Sequence, residues 1–189
     1  MGSPARSFIT PQEYLARERK APYKSEYWNG QIFAMSGARE AHVLITRNLT
    51  VALHLQLLPK GCRVYGNDMR VRVDSTDLYT YPDLSAVCGK PQFEDDEMDV
   101  LLNPVLIVEV LSPTTERYDR LGKFSLYSGI ASLREYVLVA QSDARVERYL
   151  RRPGGKWEKT EAKGLKASLK LASVPAVLKL RDLYQQVNL

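Results

Sequence analysis

A single acidic residue inside an apolar run most constrains how this chain can fold. The run from Val105 to Leu111 reads VLIVEVL, and its aliphatic, largely β-branched residues predict a strand that is buried on both faces. Glu109 interrupts this run. Because a desolvated charge costs several kcal/mol, we expect a basic side chain or a metal ion beside Glu109.

A second carboxylate, Asp83, precedes another strand-like segment. It follows Pro82 and opens the apolar segment LSAVC. If the two strands are neighbours and both carboxylates lie at one end of the sheet, Asp83 and Glu109 can hold a hard divalent cation through oxygen. Such a cation lowers the pKa of bound water and neutralises charge on a phosphoryl group. A simple turn or cap residue is the alternative interpretation of Asp83.

Three basic residues after the Glu109 strand are candidate partners for its carboxylate. Lys123 lies about two turns into a predicted helix that can return toward Glu109, and Arg117 and Arg120 compete for this role. A lysine there would position the attacking water or stabilise developing charge. A buried ion pair with Glu109 that binds no metal is one alternative. A surface pair of Lys123 with Asp119, four residues earlier, is another.

The remaining patterns predict the α/β class in its mixed α+β form, with a mixed sheet flanked by helices. Thr10-Pro11-Gln12-Glu13 predicts a capped helix to about Lys20, and Asn29-Gly30 predicts a tight hairpin. A long amphipathic helix is expected from about Arg39 to Leu58. Further strands are expected in CRVYGNDMRVRVD, EYVLVA, RVERYLR and KWEKTEA, a helix capped by Thr114 or Thr115 to about Ser128, and a final helix in RDLYQQV.

Length and composition narrow the class of protein. No repeat or linker is evident, so residues 1–189 are expected to form a single domain. No window approaches the ~18 apolar residues of a membrane span, and MGSPARSFITPQEYL lacks the apolar core of a signal peptide, so a cytoplasmic location is expected. Cys62 and Cys88 lie in separate strand-like segments without a CxxC, and buried thiols are therefore expected rather than a disulfide or a zinc site.

The charge is unevenly distributed along the chain. The net charge is +5, although one short loop carries five acidic residues, Glu94, Asp95, Asp96, Glu97 and Asp99. The segment from Arg145 to Arg181 holds eleven Lys and Arg residues against three Glu. A basic surface of this kind suits a polyanion, and a solvated face of exposed strands explains it equally well.

Taken together, these motifs resemble the Uma2 family, a branch of the PD-(D/E)XK restriction-endonuclease-like superfamily. The resemblance runs through SEYWNGQIFAMSGA, YPDLSAVCG, NPVLIVEVLSPTTERYDRLGKF, SLREYVLVA and RVERYLR, which is nearly the whole chain. It implies a restriction-endonuclease-like αβββαβ core, with the N-terminal helix and hairpin and the C-terminal strands as additions. It also implies hydrolysis of phosphodiester bonds with Mg²⁺, for which Mn²⁺ is a possible substitute.

The resemblance also assigns roles to individual residues. It implies that Asp83 and Glu109 are the metal ligands, that Lys123 positions the water, and that Glu26 is a further acidic member of the catalytic site. His42 matches a histidine that often follows the MSGA segment, without an assigned role. From the pattern alone, Glu26 on a hairpin strand and His42 near a helix start are more often surface residues.

One position departs from the superfamily pattern. The usual Glu-x-Lys would place a lysine at position 111, where this chain has Leu111. On a strand, Glu109 and Leu111 face the same way. Lys123 in RLGKF matches the migrated lysine of the Uma2 pattern.

The function expected from the sequence is therefore that of a metal-dependent endonuclease, with DNA as the first candidate substrate. A homodimer would suit double-strand cutting, although no sequence feature requires one. A catalytically inactive nuclease-like protein that binds nucleic acid or a protein partner is the first alternative. A metal-dependent enzyme acting on a nucleotide or another phosphoester is the second.

Overall fold

The structure of the protein is a computed structural model that describes residues 8–113 and 116–189. It has mixed α+β architecture, which confirms the predicted class. The α-helices are α1 (Pro11–Glu18), α2 (Glu40–Leu57), α3 (Phe124–Tyr127) and α4 (Leu180–Leu183). The strands are β1 (Ser25–Trp28), β2 (Gln31–Ala34), β3 (Cys62–Gly66), β4 (Arg70–Val73), β5 (Leu78–Thr80), β6 (Leu84–Cys88), β7 (Val100–Leu101), β8 (Leu106–Leu111), β9 (Glu135–Ala140), β10 (Arg145–Arg151), β11 (Trp157–Lys163), β12 (Ser168–Lys170) and β13 (Val177–Lys179).

A six-stranded sheet forms the centre of the fold, in the order β11-β10-β9-β8-β6-β3. Its only parallel pair among the described strands is β8 with β9, and the segment between them contains the helical residues that return to the sheet. Together, α2, β3, β6, β8, this helical segment and β9 follow the αβββαβ order. The carboxylate strand β8 thus lies inside the sheet, with β6 and β9 as its neighbours.

The strand β8 is buried on both faces, as its sequence predicts. Leu106, Val108 and Val110 belong to one core cluster, in which α2 contributes Ile45, Leu49, Leu53 and Leu57. Ile107 and Leu111 belong to a second cluster on the other face, which contains Tyr127 and Tyr136. Because side chains alternate along a strand, Glu109 lies on the same face as Leu111. The acidic residue is therefore placed at the border of an aromatic-rich core.

A five-stranded sheet in the order β2-β1-β5-β4-β7 carries the N-terminal hairpin. The predicted turn is present, with positive φ at both Asn29 and Gly30, as a type I′ turn requires. Tyr27 of β1 packs with Tyr14 of α1 and Tyr79 of β5 on one face of this sheet. Since side chains alternate, the opposite face of β1 presents the Glu26 side chain.

Two details of the helices differ from the sequence expectation, and a third prediction lies outside the described residues. The last helix comprises Leu180–Leu183 and ends before the YQQV segment, where Gln186 has φ of 66°. The helix expected before Ser128 contains a π-helical segment, Tyr118–Lys123, ahead of α3. The proposed caps of that helix, Thr114 and Thr115, lie outside the described residues.

The prediction of two buried thiols was wrong, because Cys62 and Cys88 form a disulfide. The two residues are direct partners in the antiparallel pairing of β3 and β6, which brings their Cα atoms to 4.1 Å. The sequence spacing could not reveal this register. Disulfides are typical of oxidising compartments, so the predicted cytoplasmic location gains no support from this pair and stays a prediction.

Reduction of the Cys62–Cys88 disulfide is expected to lower the free energy of unfolding by about 3 kcal/mol. The bond joins residues separated by 26 positions, and the loss of this closed loop adds entropy to the unfolded chain. Urea unfolding with and without a reductant measures the effect. A Cys88→Ala variant is the control, because its stability should not respond to the reductant. Equal stability of the oxidised and reduced wild-type protein would contradict the expectation.

The acidic loop is largely used in ion pairs within the chain. Arg19 contacts Asp95 at 2.7 Å and Asp99 at 2.8 Å, and Arg72 pairs with Glu94. The loop therefore ties α1 and β4 together.

No helix within the described residues is long and apolar enough to cross a membrane.

Candidate active site

The Glu109 carboxyl group lies in a cluster of polar side chains next to the aromatic-rich core. Its side chain is buried, with only 3% of the residue exposed. Glu109 Oε1 accepts hydrogen bonds from Lys123 Nζ at 3.1 Å and from Tyr127 Oη at 2.8 Å. The expectation of a basic partner beside Glu109 is confirmed.

The main chain places Asp83 directly beside Glu109. Leu84 pairs with Val108 in the antiparallel β6–β8 ladder, so the preceding residue, Asp83, lies opposite Glu109. The backbone N–H of Asp83 points at Glu109 Oε2 at 3.4 Å, and Asp83 Oδ2 accepts the Val110 N–H at 2.7 Å. Asp83 thus holds a defined position at the end of the ladder and is more than a turn residue.

Lys123 is surrounded by carboxylates. Besides Glu109, its Nζ lies 3.6 Å from Glu26 Oε1 and 3.6 Å from Asp119 Oδ1. The backbone carbonyl of Asp119 accepts a hydrogen bond from Tyr136 Oη at 3.0 Å, which attaches the π-helical segment to β9. This attachment directs the Lys123 side chain back over the sheet. The competing Arg120 instead pairs with Glu116 and with Glu147 of β10.

The pKa values of Glu109 and Lys123 are both raised, but for different physical reasons. Burial raises the pKa of Glu109, with a further increase from the Asp83 charge, although the Lys123 ammonium opposes both. Burial alone would lower the pKa of Lys123, but the charges of Glu109, Glu26 and Asp119 raise it well above its usual value. The lysine therefore stays protonated at neutral pH and acts as a fixed positive charge. Strongly perturbed groups of this kind are typical of functional sites.

Glu26 approaches the cluster from the hairpin. Its Oε1 accepts a hydrogen bond from the Thr80 hydroxyl, which in turn lies 3.4 Å from Tyr127 Oη. The side chain is only 16% exposed, so the surface interpretation of Glu26 was wrong. The structure thus brings Asp83, Glu109, Lys123 and Glu26 into one continuous network.

His42 at the start of α2 contacts the same cluster from the other side. Its Nε2 lies 2.9 Å from Asp83 Oδ1, and its Nδ1 lies 3.4 Å from Gln141 Nε2. A Gln141 amide that donates to Nδ1 would leave the proton on Nε2, directed at Asp83. His42 therefore orients Asp83, and it is not the surface residue that its position in the sequence suggests.

Several members of the network were missed by the sequence analysis. Tyr127 was not among the predicted site residues, although it lies four residues after Lys123 and so on the same helix face, a spacing that could have indicated its contact with Glu109. Thr80 and Gln141 carry no comparable signal. Their contacts depend on how distant segments pair in the two sheets.

The oxygen donors of this cluster fit a hard divalent cation that also binds substrate oxygens. Asp83 and Glu109 offer two adjacent carboxyl groups, since the backbone N–H of Asp83 lies 3.4 Å from Glu109 Oε2. Mg²⁺ usually binds through one or two carboxylates, water and phosphate rather than through an all-protein cage. Residues 8–113 and 116–189 contain no group of three His, Cys, Asp or Glu side chains arranged to hold a metal.

Some of the basic residues of the C-terminal segment form ion pairs within the fold. Arg145 pairs with Asp143 and Glu147, and Lys159 also pairs with Glu147. The Arg151 guanidinium donates to backbone carbonyls and lies over the Trp157 ring. The excess of positive charge in the sequence therefore overstates the basic surface that is free to meet a polyanion.

The fold and the cluster define a restriction-endonuclease-like protein. The crystal structure titled "a putative nuclease belonging to DUF820" from Anabaena variabilis superposes with a TM-score of 0.76 and 19% sequence identity, over 95% of this chain and 99% of that chain. At this identity the likeness concerns the fold.

Sequence comparison identifies the family. The model of Uma2, described as "Putative restriction endonuclease", matches residues 11–181, and the chain belongs to this family. Two uncharacterized proteins of Synechocystis sp. are each 35% identical to it, one over 87% of this chain and 93% of its own length, the other over 82% of both. The expected resemblance is thereby confirmed.

Proposed function

We propose that this protein is a metal-dependent nuclease that hydrolyses phosphodiester bonds, with DNA as the first candidate substrate. The observation that supports the proposal best is the pairing of the Lys123 ammonium with Glu109 at 3.1 Å, directly beside Asp83. The lysine reaches the site from the helix, while position 111 is filled by a leucine that packs in the aromatic core.

Asp83 and Glu109 would hold Mg²⁺, with Mn²⁺ as a substitute. When bound, the cation would neutralise charge on the scissile phosphate and lower the pKa of a water molecule. Lys123, which stays protonated, would orient the attacking water and stabilise the charge that develops on the phosphoryl oxygens. Glu26 and Tyr127 would keep Lys123 and Glu109 in place.

A second candidate function is supported by the same ion pairs. Lys123 is engaged by three carboxylates, and a buried ion-pair network can be purely structural. In that case the protein would bind nucleic acid or a protein partner without cleaving anything.

Cleavage assays with single- and double-stranded DNA and RNA distinguish the two functions. We expect products with Mg²⁺ and none with EDTA, and we expect Glu109→Gln to be inactive because its neutral amide is a poor ligand for the cation. Salt-sensitive binding without metal-stimulated product would favour the second function. Cleavage by Glu109→Gln at the wild-type rate would contradict the assignment of Glu109 as a metal ligand.

A further inference from the structure

An apolar pocket adjoins the candidate active site on the hairpin side. It has a volume of about 250 Å³ and is lined by Glu26, Trp28, Phe33, Leu78 and Tyr118. Drug-sized ligands occupy sites of roughly 300 to 1,000 Å³, so this pocket is suited to a single ring system.

The pairing of the strands explains why these side chains converge. Glu26 and Trp28 alternate with the buried Tyr27 on β1 and so share one face of the strand. Phe33 lies directly opposite Glu26 on β2, and Leu78 lies opposite Trp28 on β5. Residues that are paired across strands project to the same side of a sheet, so one face carries two aromatic rings and the acidic residue.

Tyr118 closes the pocket from the π-helical segment that also carries Lys123. The glycine four residues later, Gly122, leaves room for its ring, since a Cβ there would lie 2.6 Å from Tyr118 Cδ2. Tyr118 is thus held against the helix that positions the catalytic lysine. The pocket and the catalytic cluster therefore share one wall.

The aromatic rings of the pocket are accessible to a ligand. Trp28 is 43% exposed, Phe33 45% and Tyr118 41%. Each ring therefore has surface that a bound ligand could cover. Large exposed aromatic residues next to a cleft are a binding feature more often than an accident of folding.

Glu26 connects this pocket with the site of the proposed chemistry. It lines the pocket, and its Oε1 lies 3.6 Å from Lys123 Nζ, which in turn contacts Glu109 at 3.1 Å. A phosphate held at Asp83 and Glu109 would place the neighbouring part of its own strand at the mouth of the pocket. In a nucleic acid, that part is a nucleoside with a flat aromatic base.

We infer that this pocket binds an unpaired nucleobase next to the scissile phosphate, by stacking it on Trp28, Phe33 and Tyr118. The inference rests on the proposed nuclease function for the position of the phosphate. Aromatic side chains stack with every base, so the pocket selects by strandedness more than by base identity. A base inside a duplex is stacked and paired and would first have to be turned out, at a cost of unstacking. The preferred substrate class is therefore single-stranded or locally unpaired nucleic acid.

The test measures binding separately from cleavage. A short single-stranded oligodeoxynucleotide carries one 2-aminopurine, whose fluorescence falls when it stacks on an aromatic ring. The parent protein keeps both carboxylates, and Ca²⁺ replaces Mg²⁺ in the buffer, so that a cation and the phosphate can still be held at the site. Gel analysis verifies that the oligonucleotide stays intact. Titrations compare this parent with added Trp28→Ala, Trp28→Leu and Tyr118→Ala, and thermal melting verifies that each protein is folded.

Loss of a stacking ring is expected to weaken binding about tenfold and to abolish the fluorescence change. Trp28→Leu keeps apolar bulk but loses the aromatic ring. Because stacking needs the ring, this variant should bind as weakly as Trp28→Ala. Leu55→Ala is the matched control, since Leu55 is 68% exposed on α2, whose buried side packs against the opposite face of the central sheet. A duplex with the same sequence should bind the parent at least tenfold more weakly than the single strand.

Three results would overturn the inference. One is unchanged affinity and fluorescence in both Trp28 variants, and another is equal binding of an oligonucleotide that lacks the base at the probe position. The third is a dimer that dissociates on Trp28→Ala while oligonucleotide binding is unaffected, which would assign the pocket to a second copy of the chain. Failure of the proposed function is seen separately, as absence of cleavage by the wild-type protein in Mg²⁺.

Discussion

Replacement of Lys123 by methionine is expected to lower metal-dependent cleavage about a hundredfold or more and to destabilise the fold by about 3 kcal/mol. The first effect follows from loss of the fixed positive charge that would stabilise the developing charge on the phosphate. The second follows because Lys123 is the partner of three carboxylates, and removal of one member of a buried ion pair leaves uncompensated charge. Product formation under single-turnover conditions and urea unfolding measure the two effects.

Two variants make this result specific to the site. Lys166→Met removes the same charge from an exposed position and should change the free energy of unfolding by no more than about 0.5 kcal/mol. The double variant Lys123→Met with Glu109→Gln should regain part of the lost stability, because the buried carboxylate is removed with its partner, and it should stay inactive. Full activity of Lys123→Met in folded protein would show that Lys123 only supports the structure.

Replacement of Asp83 by asparagine is expected to remove metal-dependent cleavage while leaving the fold intact. The amide oxygen can still accept the Val110 N–H, which Asp83 Oδ2 accepts at 2.7 Å, so the free energy of unfolding should stay within about 1 kcal/mol of wild type. The carboxylate, however, is a proposed cation ligand, and its loss should cost about a hundredfold or more in rate. Cleavage rates at saturating Mg²⁺ and thermal melting measure the two effects.

Asp68→Asn is the matched control for this variant. Asp68 has an 89% exposed side chain in the turn before β4, where it pairs with Lys24. The same change of charge there should leave cleavage unaltered. A parallel loss of activity in both variants would indicate a general effect of charge and would contradict a specific role for Asp83.

The burial of Glu109 could be predicted from the sequence because it depends on a local pattern. The apolar run VLIVEVL predicts a strand that is buried on both faces, and a buried glutamate requires a partner. The length of the predicted helix allowed Lys123 to return toward Glu109, but it did not decide between Lys123, Arg117 and Arg120. Helical spacing predicted a surface contact of Lys123 with Asp119, and the structure shows this contact at 3.6 Å but buried.

The remaining features of the site depend on pairings between distant segments. The disulfide exists because β3 and β6 pair with Cys62 opposite Cys88, and neither segment signals that register by itself. In the same way, Thr80 reaches Glu26 only because β1 and β5 are neighbours in the smaller sheet. The aromatic pocket has the same origin, since its lining comes from three strands and the π-helical segment. The single-domain organisation and the homodimer stay predictions.

Calorimetric titration of Mg²⁺ into the wild-type protein and into Asp83→Asn tests the central claim most directly, because it measures the cation site without reference to any substrate. The site predicts that the wild-type protein binds the cation and that Asp83→Asn binds at least about tenfold more weakly, since one of two carboxylate ligands is lost. Asp68→Asn should bind like the wild type. Equal binding by wild type and Asp83→Asn, or no binding by either, would contradict the metal site and leave Glu109 and Lys123 as a structural ion pair.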